Sequence, residues 1–217
     1  MVLAVDTLRT LVAVEEAEVN QRELQRRETR RTLAEHALRL FSTNGFDETT
    51  VEEIAAAAGV SQRTFFLHFA TKSAAAFPDH EERVRDFIDR LGEGQSVGNP
   101  LLHLCEVLSS GLDTGSPTRR TRYQLLARVS ALRDEDARTD RDYEEVVAAF
   151  LMHAWGDSTE ARVRAHAIAN AALGVCRASL IGWGEDGIDP REVCFEILHR
   201  MIGSPFDAPL HSLHSLR

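Results

Sequence analysis

The hydrophobic positions of this chain recur with the period of an α-helix, and no stretch alternates convincingly with the period of a β-strand. The first clear apolar stripe consists of Leu33, Ala37, Leu40 and Phe41. It ends at Asn44-Gly45, where a glycine can adopt the left-handed conformation that closes a helix. The pattern predicts an all-α fold whose first helix reaches Asn44.

Two short helices are predicted directly after this glycine. Thr50 suits the N-cap of the first, and Glu53 stands three residues on, where it completes a capping box. Gly59 ends this helix, and Ser61 caps the next, which we expect to run through Phe69. Two short helices joined by a tight turn have the geometry of a helix-turn-helix, whose second helix enters the major groove of DNA.

Further helical blocks follow, separated by turn residues. A segment beyond Thr71 is expected to kink or restart at Pro78 and to end near Leu91, before a glycine-rich linker at 92–98. Asn99-Pro100 suits the N-cap and first position of the next helix. The remaining blocks are predicted at 117–132, 136–155, 159–183 and 190–202, which gives about nine helices in total.

These blocks suggest four segments along the chain. We expect an N-terminal extension at 1–25, a three-helix helix-turn-helix domain at 26–72, a larger helical domain at 73–204 and a tail at 205–217. Residues 1–25 either prolong the first helix or stay disordered, and the sequence leaves both alternatives open.

Composition favours a protein that folds in a reducing compartment. Hydrophobic residues make up 43% of the chain, enough for a core without disulfides. The three cysteines, Cys105, Cys176 and Cys194, form neither a CxxC pair nor a zinc ligand set. With no secretion signal and no run of about 20 apolar residues, we expect a cytoplasmic protein without a membrane partner.

The net charge of −9 argues at first against DNA as a partner, because affinity for phosphates comes mostly from lysine and arginine. The distribution changes this conclusion. Residues 22–72 contain eight basic and seven acidic side chains, a net +1, so the remainder carries −10. The N-terminal end is therefore compatible with DNA.

The second short helix carries residue types that read DNA. Gln62 and Arg63 fall in its first turn, and glutamine can bind adenine and arginine guanine through two hydrogen bonds each. Thr64, His68 and Lys72 suit phosphate oxygens, which position a protein without reading sequence. A capped helical hairpin also occurs in helical bundles that never meet DNA, so the motif alone leaves that alternative open.

The whole run from Arg26 to Lys72 resembles the tetracycline-repressor (TetR) family. The resemblance rests on a basic first helix, AxxLFxxxGF at 37–46, TTVEEIAAAAGVS at 49–61 and TFFLHF at 64–69 with Lys72 beyond it. It implies a homodimer that places two recognition helices in successive major grooves of double-stranded operator DNA. It also implies that a small effector bound in the C-terminal domain releases the DNA.

The resemblance carries over to individual positions. Thr50, Thr64, His68 and Lys72 match family positions that contact phosphate, and Gln62 and Arg63 match positions that face bases. Phe66 departs from the usual tyrosine, so it can offer only apolar contact to sugar or a thymine methyl. The complete expected DNA-binding set is Arg30, Thr49, Thr50, Ser61, Gln62, Arg63, Thr64, Phe66, His68 and Lys72.

A second, shorter resemblance concerns the effector. RTFFLHF together with AAFPDHEER at 75–83 is similar to a TetR subgroup whose C-terminal domain is described as binding acyl-CoA-like ligands, with some members linked to mycofactocin. It implies an acyl-CoA or another apolar metabolite as the effector.

Small residues mark a candidate dimer interface on the helix predicted at 159–183. Ala167, Ala171, Gly174 and Ala178 share one face, so another helix can approach its backbone closely. The last helix has an apolar face with Ile197, Leu198, Met201 and Ile202. The resemblance places the interface on this pair, while packing within one chain is the alternative.

Candidates for the effector pocket are mostly aromatic or apolar: His103, Tyr123, Leu126, Tyr143, Phe150, Met152 and Trp155. They could line an apolar cavity, although such stripes also form plain core. Arg119, Arg120 and Arg122 could meet a ligand phosphate or carboxylate, and a solvated helix face explains them more simply.

No catalytic machinery stands out in the sequence. Paired Glu-x-x-His motifs would indicate a carboxylate-bridged metal enzyme, but only Glu196 to His199 fits, and the common nucleotide, hydrolase and zinc-protease motifs are absent. We therefore expect no enzyme, no catalytic residue, no metal and no cofactor. An activator of the same family and a helical ligand carrier that never binds DNA remain the alternatives to a repressor.

Overall fold

In a computed structural model of the chain, the backbone is described for residues 2–93 and 98–202, and the side chains for 21–93 and 98–201. Within these ranges the regular structure is entirely helical, which confirms the all-α prediction. The chain divides into two units, Met1–Pro78 and Asp79–Arg217. The predicted tail at 205–217 and the centre of the linker, 94–97, lie outside the described residues.

The first unit contains the three predicted helices: α1 (Val2–Asn44), α2 (Val51–Ala57) and α3 (Gln62–His68). A 3₁₀ turn at Ser73–Ala76 follows them. Helix α1 continues back through the segment for which the sequence left two alternatives open.

The core of the first unit is built from the apolar faces of all three helices. Its largest fully buried side chains are Leu33, Leu38 and Phe41 of α1, Ile54 of α2 and Phe65 of α3. Two aromatic pairs extend it, with ring centroids 4.9 Å apart for Phe41 and Phe46 and 5.6 Å apart for Phe65 and Phe69. The predicted stripe is thus the inner face of α1, with Leu40 at its half-buried margin.

Local capping chemistry sets where α2 and α3 begin, as the sequence predicts. The Thr50 hydroxyl accepts from the Glu53 amide at 3.1 Å, and the Glu53 carboxylate accepts from the Thr50 amide at 2.8 Å. The Ser61 hydroxyl accepts from the Thr64 amide at 3.0 Å. Gly59, at φ +70°, makes the left-handed turn between the two helices, which disfavours any residue with a Cβ atom.

The second unit contains six helices: α4 (His80–Glu93), α5 (Pro100–Ser110), α6 (Pro117–Leu126), α7 (Ser130–Trp155), α8 (Thr159–Asp186) and α9 (Pro190–Ile202). The described residues therefore form nine α-helices in total. The predicted restart near Pro78 and the Asn99 cap, which accepts from the Leu101 amide at 2.9 Å, are both confirmed.

The predicted boundary between the sixth and seventh helices is wrong. The sequence suggested helices at 117–132 and 136–155, whereas the chain breaks between Leu126 and Ser130. Neither glycine nor proline marks this break, and Val129 caps α7 without a side-chain hydrogen bond. Instead Arg133 donates to the carbonyls of Leu126 and Ala127 at 3.1 and 3.2 Å, which satisfies the end of α6 from the following helix.

Helices α7 and α8 pack along each other, and α5, α6 and α9 complete the core of the second unit. Leu104, Leu126, Val147 and Leu151 are fully buried there. Helix α8 lies so close to α6 that a Cβ atom on Gly184 would be 3.0 Å from the Gln124 nitrogen. None of the described helices has the length and apolar character needed to cross a bilayer.

Candidate nucleic-acid interface and C-terminal cavity

Helix α3 exposes one face and is anchored by the other. Phe65 and Phe69 are buried, while Gln62 and Arg63 of the first turn are exposed. The exposed face continues with Phe66 and Leu67, whose exposed fractions are 52% and 68%. The buried rings fix the helix, and its first turn presents the two side chains that the sequence assigned to bases.

Three residues of the predicted DNA-binding set lie at the starts of α2 and α3. Thr50 and Ser61 are exposed, Thr64 is half-buried, and the Ser61 and Thr64 hydroxyls lie 2.8 Å apart. Thr50 also holds the carboxylate of Glu53, and hydrogen bonds from its backbone and side chain lower the pKa of that carboxyl. These hydroxyls therefore combine a capping role with exposure to a partner.

Thr49 is not available for the expected DNA contact. Its side chain is buried, and its hydroxyl donates to the Gly45 carbonyl at 2.7 Å. The two residues lie on either side of the loop between α1 and α2, so this bond closes the loop. The buried Thr49 side chain thus holds the loop that leads to Thr50.

Arg30 is also engaged inside the first unit. Its guanidinium donates to the Pro78 carbonyl at 2.7 Å and to the His68 carbonyl, and lies 4.3 Å from the centre of the Phe69 ring. It ties the middle of α1 to the end of α3. A phosphate contact by Arg30 would have to compete with these bonds.

The surroundings of His68, at the end of α3, favour its neutral form. Burial, followed by the positive charges of Arg30 and Arg26, lowers the pKa of this histidine below its ordinary range. A neutral imidazole offers a phosphate one N–H donor and no charge. The lowered pKa of His68 therefore favours a contact with DNA through a hydrogen bond rather than an ion pair.

Lys72 reaches back to the loop between α1 and α2. Its ammonium nitrogen lies 2.6 Å from the Phe46 carbonyl oxygen, 2.8 Å from that of Thr49 and 3.4 Å from that of Asp47. It also lies 4.3 Å from the centre of the Phe46 ring. An ammonium has three N–H donors, so a phosphate contact would have to replace one of these bonds.

The second unit contains a cavity of about 260 Å³. One part of its wall is apolar, with Phe87, Val107, Leu108, Leu112, Leu173 and Leu180. The rest is strongly polar, with four arginines (Arg83, Arg90, Arg119 and Arg177) and five aspartates (Asp79, Asp86, Asp113, Asp136 and Asp140). The cavity wall therefore combines an apolar part with a charged part.

The predicted pocket residues are distributed unevenly. Tyr123 and Tyr143 line the cavity, and His103 lines a separate, more open hollow. The other four, Leu126, Phe150, Met152 and Trp155, line neither. The cavity lies beside the first half of α7, and at 1.5 Å per residue Phe150 stands about 10 Å along the helix from Tyr143. Leu126 is fully buried core.

The arginines of α6 are placed differently from a solvated helix face. Arg119 and Arg122 are 4% and 2% exposed, and only Arg120 points to solvent. Arg119 lines the cavity, while Arg122 donates to the Asp79 carboxylate at 3.1 Å. Periodicity could have shown this difference, because residues 119 and 122 share the face that carries the buried Tyr123 and Leu126.

Arg177 pairs with two carboxylates in the cavity wall. Its guanidinium lies 2.7 Å from an Asp136 oxygen and also contacts Asp140. Burial, followed by the neighbouring charge of Asp140, raises the pKa of Asp136 to about 6 despite this pairing. Burial likewise raises the pKa of Asp140.

The predicted dimer residues of α8 lie on the outside of the second unit. Ala167, Ala171, Gly174 and Ala178 are all exposed, and a Cβ atom on Gly174 would meet no atom within 4 Å. Packing within one chain, the alternative left open, does not cover this stripe in the described part of the chain. On α9, Ile197 is 41% exposed and Met201 is half-buried.

Leu198 differs from the other predicted dimer residues. It is only 1% exposed within its own chain, so it belongs to the core of the second unit. Leu198 and Ile197 are adjacent apolar residues of α9, so the sequence did not show which of the two packs inside the chain. The side chain of Ile202 lies outside the described residues.

Among the described residues, no group of three histidine, cysteine or acidic side chains is arranged to hold a metal ion. The three cysteines are buried free thiols, and the sulfur atoms of Cys176 and Cys194 lie 3.5 Å apart. The lone Glu196 to His199 pair lies exposed on α9.

A small three-helix unit that anchors one short helix and exposes its first turn defines a DNA-binding transcription regulator of the helix-turn-helix class. The chain belongs to the TetR family. The sequence model "Bacterial regulatory proteins, tetR family" matches residues 33–74, and the model "MftR C-terminal domain" matches residues 112–204.

Individual relatives agree with this assignment. The chain is 41% identical to the regulator TcmR of Streptomyces glaucescens over 83 residues, which are 38% of this chain and 36% of that protein. It is 24% identical over 157 residues to MftR of Mycobacterium tuberculosis, a regulator named for mycofactocin biosynthesis, with 71% of this chain and 79% of that protein covered. The match with TcmR thus spans about a third of its length.

Solved structures share the fold at low sequence identity. FadR of Thermus thermophilus, in complex with lauroyl-CoA, is 22% identical, with a TM-score of 0.52 over 80% of this chain and 92% of that chain. A regulator from Syntrophomonas wolfei is 17% identical, with a TM-score of 0.62 over 84% of this chain and 97% of that chain. These likenesses support the fold alone.

The contacts of Lys72 predict a stability role. Replacing Lys72 with methionine keeps the aliphatic stem but leaves the Phe46 and Thr49 carbonyls without this donor, which should lower the free energy of unfolding by about 2 kcal/mol. Urea unfolding followed by circular dichroism measures this loss, and amide exchange at residues 45–58 should quicken. The control Arg39→Met, at an exposed site of α1, should change little. Equal stability of Lys72→Met and the native protein would contradict this role.

The buried carboxylate of Asp136 predicts a stability that depends on pH. Because its folded-state pKa is about 6, above the ordinary aspartate value of 3.8, the folded protein takes up a proton between pH 7 and pH 5 that the unfolded chain does not. The native protein should therefore gain about 1 kcal/mol relative to Asp136→Asn over this range. Urea unfolding followed by the fluorescence of the two tryptophans measures the difference, and parallel pH profiles would refute it.

Proposed function

We propose that this chain is a transcriptional repressor that binds operator DNA as a homodimer and leaves it when a small effector enters the second unit. The observation that carries the proposal is the anchored helix α3, which exposes Gln62 and Arg63 in its first turn. We further propose that residues 26–72 are the DNA-binding domain, that 73–204 bind effector and partner, and that the protein acts in the cytoplasm.

Base reading falls to the first turn of α3. Arg63 can donate two hydrogen bonds to the edge of a guanine, and Gln62 can bind an adenine. The exposed ring of Phe66 suits the methyl group of a thymine. Thr50, Ser61 and Thr64 suit phosphate oxygens beside this helix, because their hydroxyls lie at the start of α2 or α3.

The Arg63→Ala variant tests base reading. An operator is first selected from a pool of random DNA sequences with the native protein. Gel-shift competition should then show that the variant loses about 1–3 kcal/mol of preference for this operator and keeps salt-sensitive binding to any DNA. The control Arg128→Ala removes an exposed arginine of the second unit and should leave the preference intact. Unchanged preference in Arg63→Ala would remove the base-reading role.

A homodimer follows from the symmetry of operator reading. Two copies related by a two-fold axis can place their α3 helices in successive major grooves, about 34 Å apart. The exposed stripe of α8 and the exposed Ile197 of α9 offer a surface that a second copy can cover. The absence of large side chains along this stripe permits close approach of two α8 helices.

A bulky charge in the stripe tests the dimer. Ala171→Arg should place a cation in the middle of the proposed interface and shift the protein from dimer to monomer in light scattering coupled to size-exclusion chromatography. Ala149→Arg is the matched control, because Ala149 is an exposed alanine of α7 outside the stripe. A dimeric Ala171→Arg, or a native protein that is monomeric at micromolar concentration, would speak against this interface.

Release by an effector requires that ligand and DNA prefer different states of the dimer. The segment from Lys72 to Leu91 connects α3 to the cavity-lining part of α4 along the chain, so we propose that it transmits the change. Effector binding then moves the two α3 helices away from the spacing of one DNA turn. By linkage, operator DNA weakens effector binding by the same factor.

A further inference from the structure

Arg119 has an edge without hydrogen-bond partners inside the cavity. Its side chain is 5% exposed, and among the described residues neither Nε nor Nη2 has a hydrogen-bond partner. The residue lines the cavity wall beside Tyr123, whose ring centre lies 5.9 Å from the guanidinium carbon. A buried donor without an acceptor costs free energy, so this edge favours a ligand that supplies one.

The two nitrogens lie on the same side of the planar guanidinium. The Nε–H bond and one N–H bond of Nη2 point in parallel, and this pair matches the two oxygens of a carboxylate. The third nitrogen, Nη1, faces Asp113 at 3.9 Å, and the Asp113 side chain is 59% exposed. That long, solvated ion pair leaves the Nε–Nη2 edge available to a ligand.

The surroundings of Arg119 are rich in positive charge. Burial would raise the pKa of Asp79, but the charges of Arg122 and Arg83, a backbone hydrogen bond and the charge of Arg119 together lower it, so three guanidinium groups act on this one carboxylate. Arg119 also lies in the first turn of α6, which contains no acidic residue and carries the positive end of the helix dipole. Burial, followed by the charge of Arg83, lowers the pKa of Arg119 itself, although the neighbouring Tyr123 hydroxyl opposes this shift.

The remaining carboxylates of the cavity have cationic partners of their own. Arg177 pairs with Asp136 and Asp140, and Arg90 donates to Asp86 at 3.0 Å. They therefore compete little for Arg119. An anion entering the cavity would meet Arg119 as the cation whose hydrogen bonds are least satisfied in the described wall.

We propose that the cavity binds a small organic acid, whose carboxylate accepts hydrogen bonds from Nε and Nη2 of Arg119. Its apolar part lies against Phe87, Leu108, Leu112 and Leu173. The volume of about 260 Å³ is below that of pockets for drug-sized ligands, so the cavity cannot enclose a coenzyme A thioester. This organic acid would be the effector of the proposed function. Its binding to the cavity does not rest on that function, whereas its effect on DNA binding does.

Calorimetric titration of the full-length protein in the absence of DNA tests the site. The probes are octanoate and benzoate, the uncharged octanamide, and octanoyl-CoA, which has no free carboxylate. We expect at least one acid to bind, and octanoate to bind at least about tenfold more tightly than octanamide. Binding of neither acid at millimolar concentration would overturn the proposal, as would equal affinities for octanoate and octanamide.

Variants of Arg119 assign the binding to its guanidinium. Arg119→Gln should weaken binding of the acid at least about tenfold and leave octanamide unchanged, while the exposed neighbour Arg120→Gln should leave both unchanged. Arg119→Lys keeps the charge without the two-nitrogen edge, so its affinity should be intermediate and it serves where the glutamine variant fails to fold. An acid that binds Arg119→Gln as tightly as the native protein, or octanoyl-CoA that binds more tightly than octanoate without needing Arg119, would overturn the site.

A gel-shift measurement with the binding acid separates this site from the proposed function. Loss of the DNA complex on adding the acid, absent in Arg119→Gln, would support both. Acid binding that depends on Arg119 but leaves the DNA complex intact would uphold the site and overturn effector release. A protein that binds the acid but selects no DNA sequence would uphold the site and overturn the regulator.

Discussion

The burial of two aromatic rings fixes helix α3, which carries the residues proposed to read DNA. A helix of seven residues is too short to be stable alone in water, so α3 depends on tertiary packing. Phe65 and Phe69 supply that packing, and Arg30 lies over the Phe69 ring while donating to the carbonyl at the end of the helix. The exposed first turn, with Gln62 and Arg63, keeps its direction because the opposite face is fixed.

Sequence reasoning was accurate where structure follows from neighbouring residues. The caps at Thr50, Ser61 and Asn99 were predictable because each bonds an amide two or three residues away. The break between α6 and α7 was missed because Arg133, which satisfies its carbonyls, acts from beyond the break and leaves no turn residue as a signal. The all-α class needed only the helical period, whereas the division of the chain lies at Pro78, away from the glycine-rich linker at 92–98.

For the functional residues too, the sequence predicted the residue types but not the contacts between distant segments. Thr49 donates to the nearby Gly45 carbonyl, whereas Arg30 and Lys72, which suit phosphate by residue type, each bond a backbone carbonyl distant in sequence. Such contacts depend on how the helices cross, which a single sequence does not reveal. The cavity followed the same rule, since its position beside the first half of α7 selected Tyr143 and Asp140 and left Phe150 and Trp155 outside. The charged side chains of the cavity wall support a ligand with an anionic group, which the spacing of aromatic residues did not indicate.

One feature of the first unit bears on how this protein can be handled chemically. Lys72 is the only lysine among 217 residues, and its amine lies in the loop that precedes α2. Acylation would remove its charge, and the added group could not fit among carbonyls only 2.6 and 2.8 Å away. Amine-reactive labels or cross-linkers therefore have a single lysine target, and its reactivity would report how often this loop opens.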